Sequence, residues 1–268
     1  MTWTTLCRAS SASATVNELR HALKRRERLG SDTPFNVIFF RPPGVTELAK
    51  YLSAWRSGLT FEEVNSAEGR ITIFDMGAFK DEVSVNTFFG AHAGFQGGEG
   101  KLYKALRCNP RGVFIFDEVE KAHSKVFDSL LPLMNRNGWI QSNQAGYDPI
   151  ATRDAIFIFT SNIGAERLES IDADLEPETV KTAILREVRH RFSAAFCDRI
   201  DLNLFFHGLS AREQQLIALN LLDRLRAQLI QNENPLRLTW EPRIVDEIAR
   251  DGLSRQDSLG VVFDELPQ

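Results

Sequence analysis

The stretch Gly112-Val113-Phe114-Ile115-Phe116-Asp117-Glu118-Val119-Glu120-Lys121-Ala122-His123 decides how this chain folds. Val113 to Phe116 is a short apolar run of β-branched and aromatic residues, bounded by Gly112 and closed by two acids. A run of that kind reads as a parallel strand buried on both faces. Asp117 and Glu118 then stand at its carboxyl end, where open α/β sheets place their ligand crevice. Two adjacent carboxylates there suit a metal–nucleotide site. One holds Mg²⁺, directly or through water, and the other orients or deprotonates an attacking water. The same residues also describe a strand that ends in two solvated acids, and the local pattern does not separate the two.

Outward from this strand, apolar runs alternate with helical periodicity. Phe35 to Phe40, Ile71 to Asp75, Ala155 to Thr160 and Asp201 to Phe206 read as further strands. Thr15 with Glu18 forms a capping-box pattern that opens a helix through about Leu29. Its run Lys24-Arg25-Arg26-Glu27-Arg28 reads as a solvated helix face, and Gly30 to Pro34 as the turn that ends it. Lys101 to Arg107 is expected to be helical. The helix after the acids carries Phe127, Leu130, Leu131 and Met134 on one core-facing side, with Pro132 expected to kink or shorten it. Residues 165–177 read as an acidic linker and 178–192 as an amphipathic helix. Ser210 with Glu213 is a second capping box, and Ile217, Leu221, Leu222, Leu225 and Leu229 line the long helix behind it. Leu236 to Trp240 is expected as a short strand and Pro242 to Asp251 as a last helix.

The 268 residues are enough to bury a sizeable core in one large or two smaller domains. A net charge of −4 gives no electrostatic reason to expect nucleic-acid binding. No apolar run approaches the roughly 18 residues of a membrane span, so no membrane partner is expected. Cys7, Cys108 and Cys197 are far apart with no C-x-x-C pair, which argues against zinc and a disulfide framework and fits a reducing cytoplasm.

Several of these words recur together in one family. Asp-Glu-Val-Glu-Lys-Ala-His followed by Val126-Phe-Asp-Ser-Leu-Leu131 resembles the Walker B segment and following helix of Clp-type AAA+ ATPases, the ClpB/ClpA class. Phe159-Thr160-Ser161-Asn162-Ile163-Gly164 is similar to that class's sensor-1 strand, and Phe196-Cys197-Asp198-Arg199-Ile200-Asp201 to its arginine-finger segment. The pieces occur in family order at about family spacing. The resemblance implies Asp117 on Mg²⁺, Glu118 activating water, Asn162 sensing the γ-phosphate, and Arg199 reaching into a neighbouring subunit's site.

The segment after Phe40 departs from the family. A working phosphate loop reads G-x-x-x-x-G-K-[ST]: backbone N–H groups cradle phosphate, the lysine neutralises β/γ oxygens, and the hydroxyl reaches Mg²⁺. Here Arg41-Pro42-Pro43-Gly44-Val45-Thr46-Glu47-Leu48-Ala49-Lys50 stands in that place, with Arg41 for the first glycine and no Gly-Lys pair between Val45 and Thr46. A charged hydrogen bond contributes roughly 1.5–3 kcal/mol, so loss of the lysine alone weakens affinity about ten- to a hundred-fold. Gly44, Val45 and Thr46 are what remains to hold nucleotide, with Thr46 as the candidate Mg²⁺ ligand. Gly90 to Gly100 carries five glycines in eleven residues and must be an irregular loop. It is similar to the pore loop of Clp-type unfoldases, with Phe95 in the place of the aromatic residue that grips a threaded polypeptide. Asn135 to Arg153, with Trp139 and Tyr147, looks like the family's second pore loop.

The expected fold is therefore AAA+: a five-stranded parallel sheet with helices on both faces, followed by a small, shortened helical lid. The expected domains are an N-terminal arm over 1–14, a large α/β part over 15–206 and the lid over 207–268, which lacks the family's Gly-Ala-Arg sensor-2 motif. Two functions follow from the resemblance. One is a regulatory or scaffold pseudo-ATPase with weakened or lost binding of ATP, ADP and Mg²⁺, working beside an active AAA+ partner. The other is an active ring-forming ATPase that threads polypeptide. Either implies a homo- or hetero-oligomer.

Overall fold

The computed structural model of the chain describes residues 12–40, 48–50, 52–54, 71–90, 98–142, 147–165, 177–206, 211–231 and 238–254. Helix α1 spans Ala12–Leu29. Strand β1 is Phe35–Phe40, and β2 is Ile71–Asp75, followed by a 3-10 turn at Met76–Ala78. Helices α2 (Glu82–Phe89) and α3 (Lys101–Cys108) lead into β3, Val113–Asp117. A second 3-10 turn at Val119–Lys121 precedes α4, Ser124–Leu130. Then come β4 (Trp139–Ile140), β5 (Ile150–Ala151) and β6 (Ile156–Ser161). Helices α5 (Pro177–Arg191) and α6 (Ala194–Cys197) precede β7, Leu202–Phe205. Helices α7 (Ala211–Gln231) and α8 (Pro242–Ser254) complete the described chain.

Five strands form one sheet in the order β2-β3-β6-β1-β7. Every neighbouring pair is parallel. The apolar runs explain this arrangement: a strand buried on both faces has no polar side to give to water. β1 and β6 are buried along their whole length. The register sets Phe74, Phe116, Phe159 and Ile38 in one row across the sheet. Phe116 stacks on Phe159 with centroids 4.8 Å apart and meets Phe157 edge-on at 5.6 Å. Phe88 of α2 and Phe196 of α6 close the row from outside at 5.0 Å from Phe74 and 5.1 Å from Phe159. Each buried ring contributes about 1.5–3 kcal/mol. The alternate strand residues Val37, Phe39, Ile115 and Ile158 are also buried, as are Leu19 and Leu23 of α1 and Leu48, Ala49 and Leu52.

Some boundaries differ from the sequence reading. Helix α1 opens at Ala12, so Thr15 lies inside its first turn and is not its cap; Ala12 and Ala14 are strong helix formers. Helix α4 stops at Leu130: Leu131 keeps helical backbone, φ −51° and ψ −44°, but Pro132 has no N–H to continue the hydrogen-bond ladder. Met134 is buried from a turn beyond the helix, and Leu131 is half-buried. Within Asn135 to Arg153, β4 and β5 pair antiparallel, leaving Trp139 54% exposed. Residues 238–240 are not a strand.

The chain divides into two compact units, Glu18–Phe206 and His207–Gln268 with Met1–Asn17. In the smaller unit Ala218 and Leu222 of α7 pack with Val245 and Ala249 of α8. Arg226 lies over the Trp240 ring, 5.2 Å from its centroid, and Gln215 donates to Asp246 at 2.7 Å. No described helix is long and apolar enough to cross a membrane.

Candidate functional site

The parallel sheet places Asp117, at the end of β3, beside Thr160 in β6. The buried Thr160 hydroxyl accepts the Glu118 N–H at 2.9 Å and donates its own proton to Asp117 Oδ1. It therefore fixes both acids at once. Glu118 adopts a left-handed backbone, φ 54° and ψ 52°, which ends β3 abruptly and turns the chain into the Val119–Lys121 helix. Such a conformation is uncommon for a residue other than glycine or asparagine, and strain of this kind persists only where the surroundings hold it.

Both carboxylate oxygens of Glu118 are engaged. Oε2 pairs with Lys121 Nζ at 2.6 Å, and Oε1 accepts from Asn162 Nδ2 at 3.3 Å. The Glu118 hydrogen bond pushes the Lys121 ammonium above its ordinary range. The Asn162 N–H donates to Glu120 Oε1 at 3.1 Å, so the loop after β6 is tied to the turn after β3 twice. From α5, Arg191 donates to the carbonyls of Glu120 and Ala122 and holds that turn from the other side. His123 caps α4 by accepting the Lys125 N–H. Three of the residues expected at the site, Asp117, Glu118 and Asn162, are thus brought together. Asp117 Oδ2 lies outside the Thr160 bond, and an oxygen of that kind is the hard donor Mg²⁺ takes.

Arg199 is placed elsewhere. Its carbonyl accepts from the Asn36 side chain at 3.0 Å, and Asn36 lies at the amino end of β1, whereas the acids lie at the carboxyl end of the same sheet. The Arg199 guanidinium folds onto its own chain, donating to Asn135 Oδ1 at 2.6 Å and to the Ala195 carbonyl at 2.5 Å. Asp201 supports this end, accepting the Asn36 N–H at 2.8 Å, and burial of its carboxyl raises the Asp201 pKa against that bond and Arg26.

Gly44, Val45 and Thr46 lie outside the described residues, as does Phe95. The base of the segment that carries Phe95 is described. Gly90 caps α2 at φ 102° and Gly100 starts α3 at φ 92°. A Cβ on Gly100 would stand 2.4 Å from the Phe89 carbonyl carbon, so the two ends of 91–97 are held against each other by backbone with no room for a side chain.

The family model of the AAA domain (Cdc48 subfamily) matches residues 32–203. The chain belongs to that family. The chaperone protein ClpB 2 of Thermosynechococcus vestitus is 33% identical over 237 residues, which cover 85% of this chain and 25% of that protein. ClpB of Aquifex aeolicus is 32% identical over 258 residues, covering 88% of this chain and 24% of that one. The chain thus spans about a quarter of the length of the curated relatives it matches. Among solved structures, Hsp104 with ATPγS and FITC casein in a closed state superposes with a TM-score of 0.74 at 27% identity, over 95% of this chain and 42% of that one. The S. cerevisiae Hsp104–casein complex in its extended conformation gives 0.73 at 25% identity, over 93% and 43%. The protein is a ClpB/Hsp104-like AAA+ module.

Sequence reasoning named Thr160 within its motif without giving it a role, and missed Lys121, Arg191 and Asn135. The role of Thr160 follows from a register that the sequence does not show: with Phe116 opposite Phe159, the next residue of β6 stands beside Asp117. For the other three no local pattern marks the partner, because each acts across a long chain separation or a turn whose hand the sequence does not show.

Proposed function

We propose that this AAA+ module belongs to a protein-remodelling assembly and that its own nucleotide site is weakened or lost, so that it serves as a regulatory or scaffold subunit beside an active AAA+ partner. The observation that carries this reading is the segment from Arg41 to Lys50, which has no Gly-Lys pair between Val45 and Thr46. A phosphate loop without that pair lacks its cation and two of its N–H donors, and both losses fall on phosphate contacts. Bound Mg²⁺ would neutralise phosphate charge; Asp117 and Thr46 would hold it, with Gly44 and Val45 against the nucleotide. Glu118 and Asn162 would meet the attacking water, Arg199 would serve a neighbouring subunit, and Phe95 would touch a polypeptide. The position of Arg199 at the opposite end of the sheet from Glu118 supports action in trans.

A second reading, an active ring-forming ATPase that threads polypeptide, is favoured by one observation: Thr160, Asn162 and Lys121 hold the acid pair in an ordered arrangement. Calorimetric titration of MgATP and MgADP separates the two, using the protein and a version with Gly-Lys inserted between Val45 and Thr46. The proposed reading expects micromolar binding only by the inserted version. Micromolar binding by the protein itself sinks it, and turnover that disappears in Glu118→Gln would then establish the second.

A further inference from the structure

We infer that Arg107 is a positioning residue that couples the neck at Gly90 and Gly100 to the β4–β5 hairpin, so that the two open and close as one body. Arg107 and Tyr103 stand at i and i+4 on α3, the spacing that puts two side chains on one side of a helix. Arg107 reaches the neck through Glu99, the residue before Gly100. Its Nε donates to Glu99 Oε2 and its Nη2 to Glu99 Oε1, both at 3.0 Å. A two-pronged pair of this kind fixes the guanidinium and the carboxylate in one plane, which a single contact does not. The Glu99 side chain is only 16% exposed, so solvent screens this pair less than most surface pairs. Glu99 also belongs to the neck by its backbone: a Cβ on Gly90 would stand 3.1 Å from the Glu99 carbonyl oxygen.

The same guanidinium lies 5.8 Å from the centroid of the Tyr147 ring, which stands just before β5. A cation at that distance is attracted to the ring. Tyr103 grips the same stretch twice. Its ring meets Tyr147 edge-on with centroids 5.6 Å apart, and its hydroxyl donates to the Asp148 carbonyl at 2.7 Å. Tyr103 is buried, and a buried hydroxyl needs such an acceptor. The α3 helix therefore carries a fixed anchor for the hairpin in Tyr103 and, one turn on, a group that touches hairpin and neck together in Arg107. Displacing Glu99 moves the guanidinium off Tyr147, and displacing Tyr147 leaves the fork on Glu99 without its support. The use of this coupling rests on the proposed function, in which the neck presents Phe95 to a polypeptide. The hairpin, with Trp139 half exposed, then shares whatever load the neck receives.

Hydrogen exchange read by mass spectrometry on the full chain tests the coupling, in peptides covering 98–106 on the neck side and 147–152 on the hairpin side. Glu99→Ala removes a contact of the neck alone. It should nevertheless speed exchange about three- to tenfold on both sides, and Tyr147→Leu should do the same from the hairpin. Coupling of this kind is reciprocal. With Arg107→Leu already in place, adding Glu99→Ala should change only 98–106, and adding Tyr147→Leu only 147–152. Exchange in β1 and β6 should stay within about twofold in every variant, which shows that the opening is local and the fold intact. An effect of Glu99→Ala confined to 98–106 overturns the inference. So does an effect on 147–152 that persists in the Arg107→Leu background, because the link then runs through other residues. Anisotropy of fluorescein-labelled casein is read separately: reciprocal coupling in a protein that binds no casein sustains this inference and fails the polypeptide reading.

Discussion

A single hydroxyl sits between the two acids: Thr160 Oγ1 takes the Glu118 N–H and gives its proton to Asp117. Valine has nearly the same shape without the oxygen, so Thr160→Val leaves a half-buried N–H and a carboxylate oxygen without their partner. The expected loss is about 1–3 kcal/mol in urea unfolding. Thr160→Ser, which keeps the oxygen and loses one methyl, should cost no more than about 1.5 kcal/mol. Equal losses for the two substitutions would show that the methyl matters and the hydroxyl does not. Asp201 allows a pH test. One edge of the residue is open to solvent, yet enough of its carboxyl is covered that burial raises its pKa above the ordinary 3.8, with the Asn36 N–H and Arg26 opposing. A raised folded pKa means the fold holds the proton more tightly than the unfolded chain. That contribution is full below the unfolded pKa and is lost as pH rises through the folded value. Asp201→Asn keeps an acceptor for Asn36 and cannot ionise. Its stability relative to the parent should therefore rise between about pH 3 and pH 6. Denaturant midpoints across that range measure it, and a flat difference would remove Asp201 from the account.

At the scale of elements, the neck formed by Gly90 and Gly100 governs how residues 91–97 are presented. Gly100 combines a φ of 92° with a Cβ position 2.4 Å from the Phe89 carbonyl carbon. Gly100→Ala must force the neck apart, and backbone strain plus overlap should cost about 2–4 kcal/mol in urea unfolding. Gly98→Ala is the control, because nothing lies within 4 Å of the Cβ it would add, and it should fall within about 0.5 kcal/mol of the parent. If both behave alike, the neck is not rigid. The glycine count alone predicts an irregular loop here; it does not show that two of the glycines, ten positions apart, touch across its base.

At the scale of the whole molecule, the sheet separates two groups of candidate site residues. Asp117, Glu118 and Asn162 gather at the carboxyl ends of β3 and β6, and Arg199 stands at the amino end of β1. In the version carrying the inserted Gly-Lys, Arg199→Ala should leave MgATP affinity within about twofold in dilute, monomeric protein. Any effect on turnover should appear only at concentrations where copies assemble. Calorimetry and turnover across a dilution series check this, and a tenfold loss of affinity in the monomer would place Arg199 in its own site, against the geometry.

The five strands and their class were legible in the sequence because a strand covered on both faces has to be apolar throughout, as Val113 to Phe116 and Ile156 to Phe159 are. The acid pair was legible too, because chain direction alone puts Asp117 and Glu118 at a carboxyl edge. Strand order and register came only from the tertiary structure. They depend on which helices cover which strands, and that sum of many weak contacts decides that Thr160 stands beside Asp117, that Lys121 and Asn162 occupy Glu118, and that Arg199 is held away from all of them by Asn36 and Asn135.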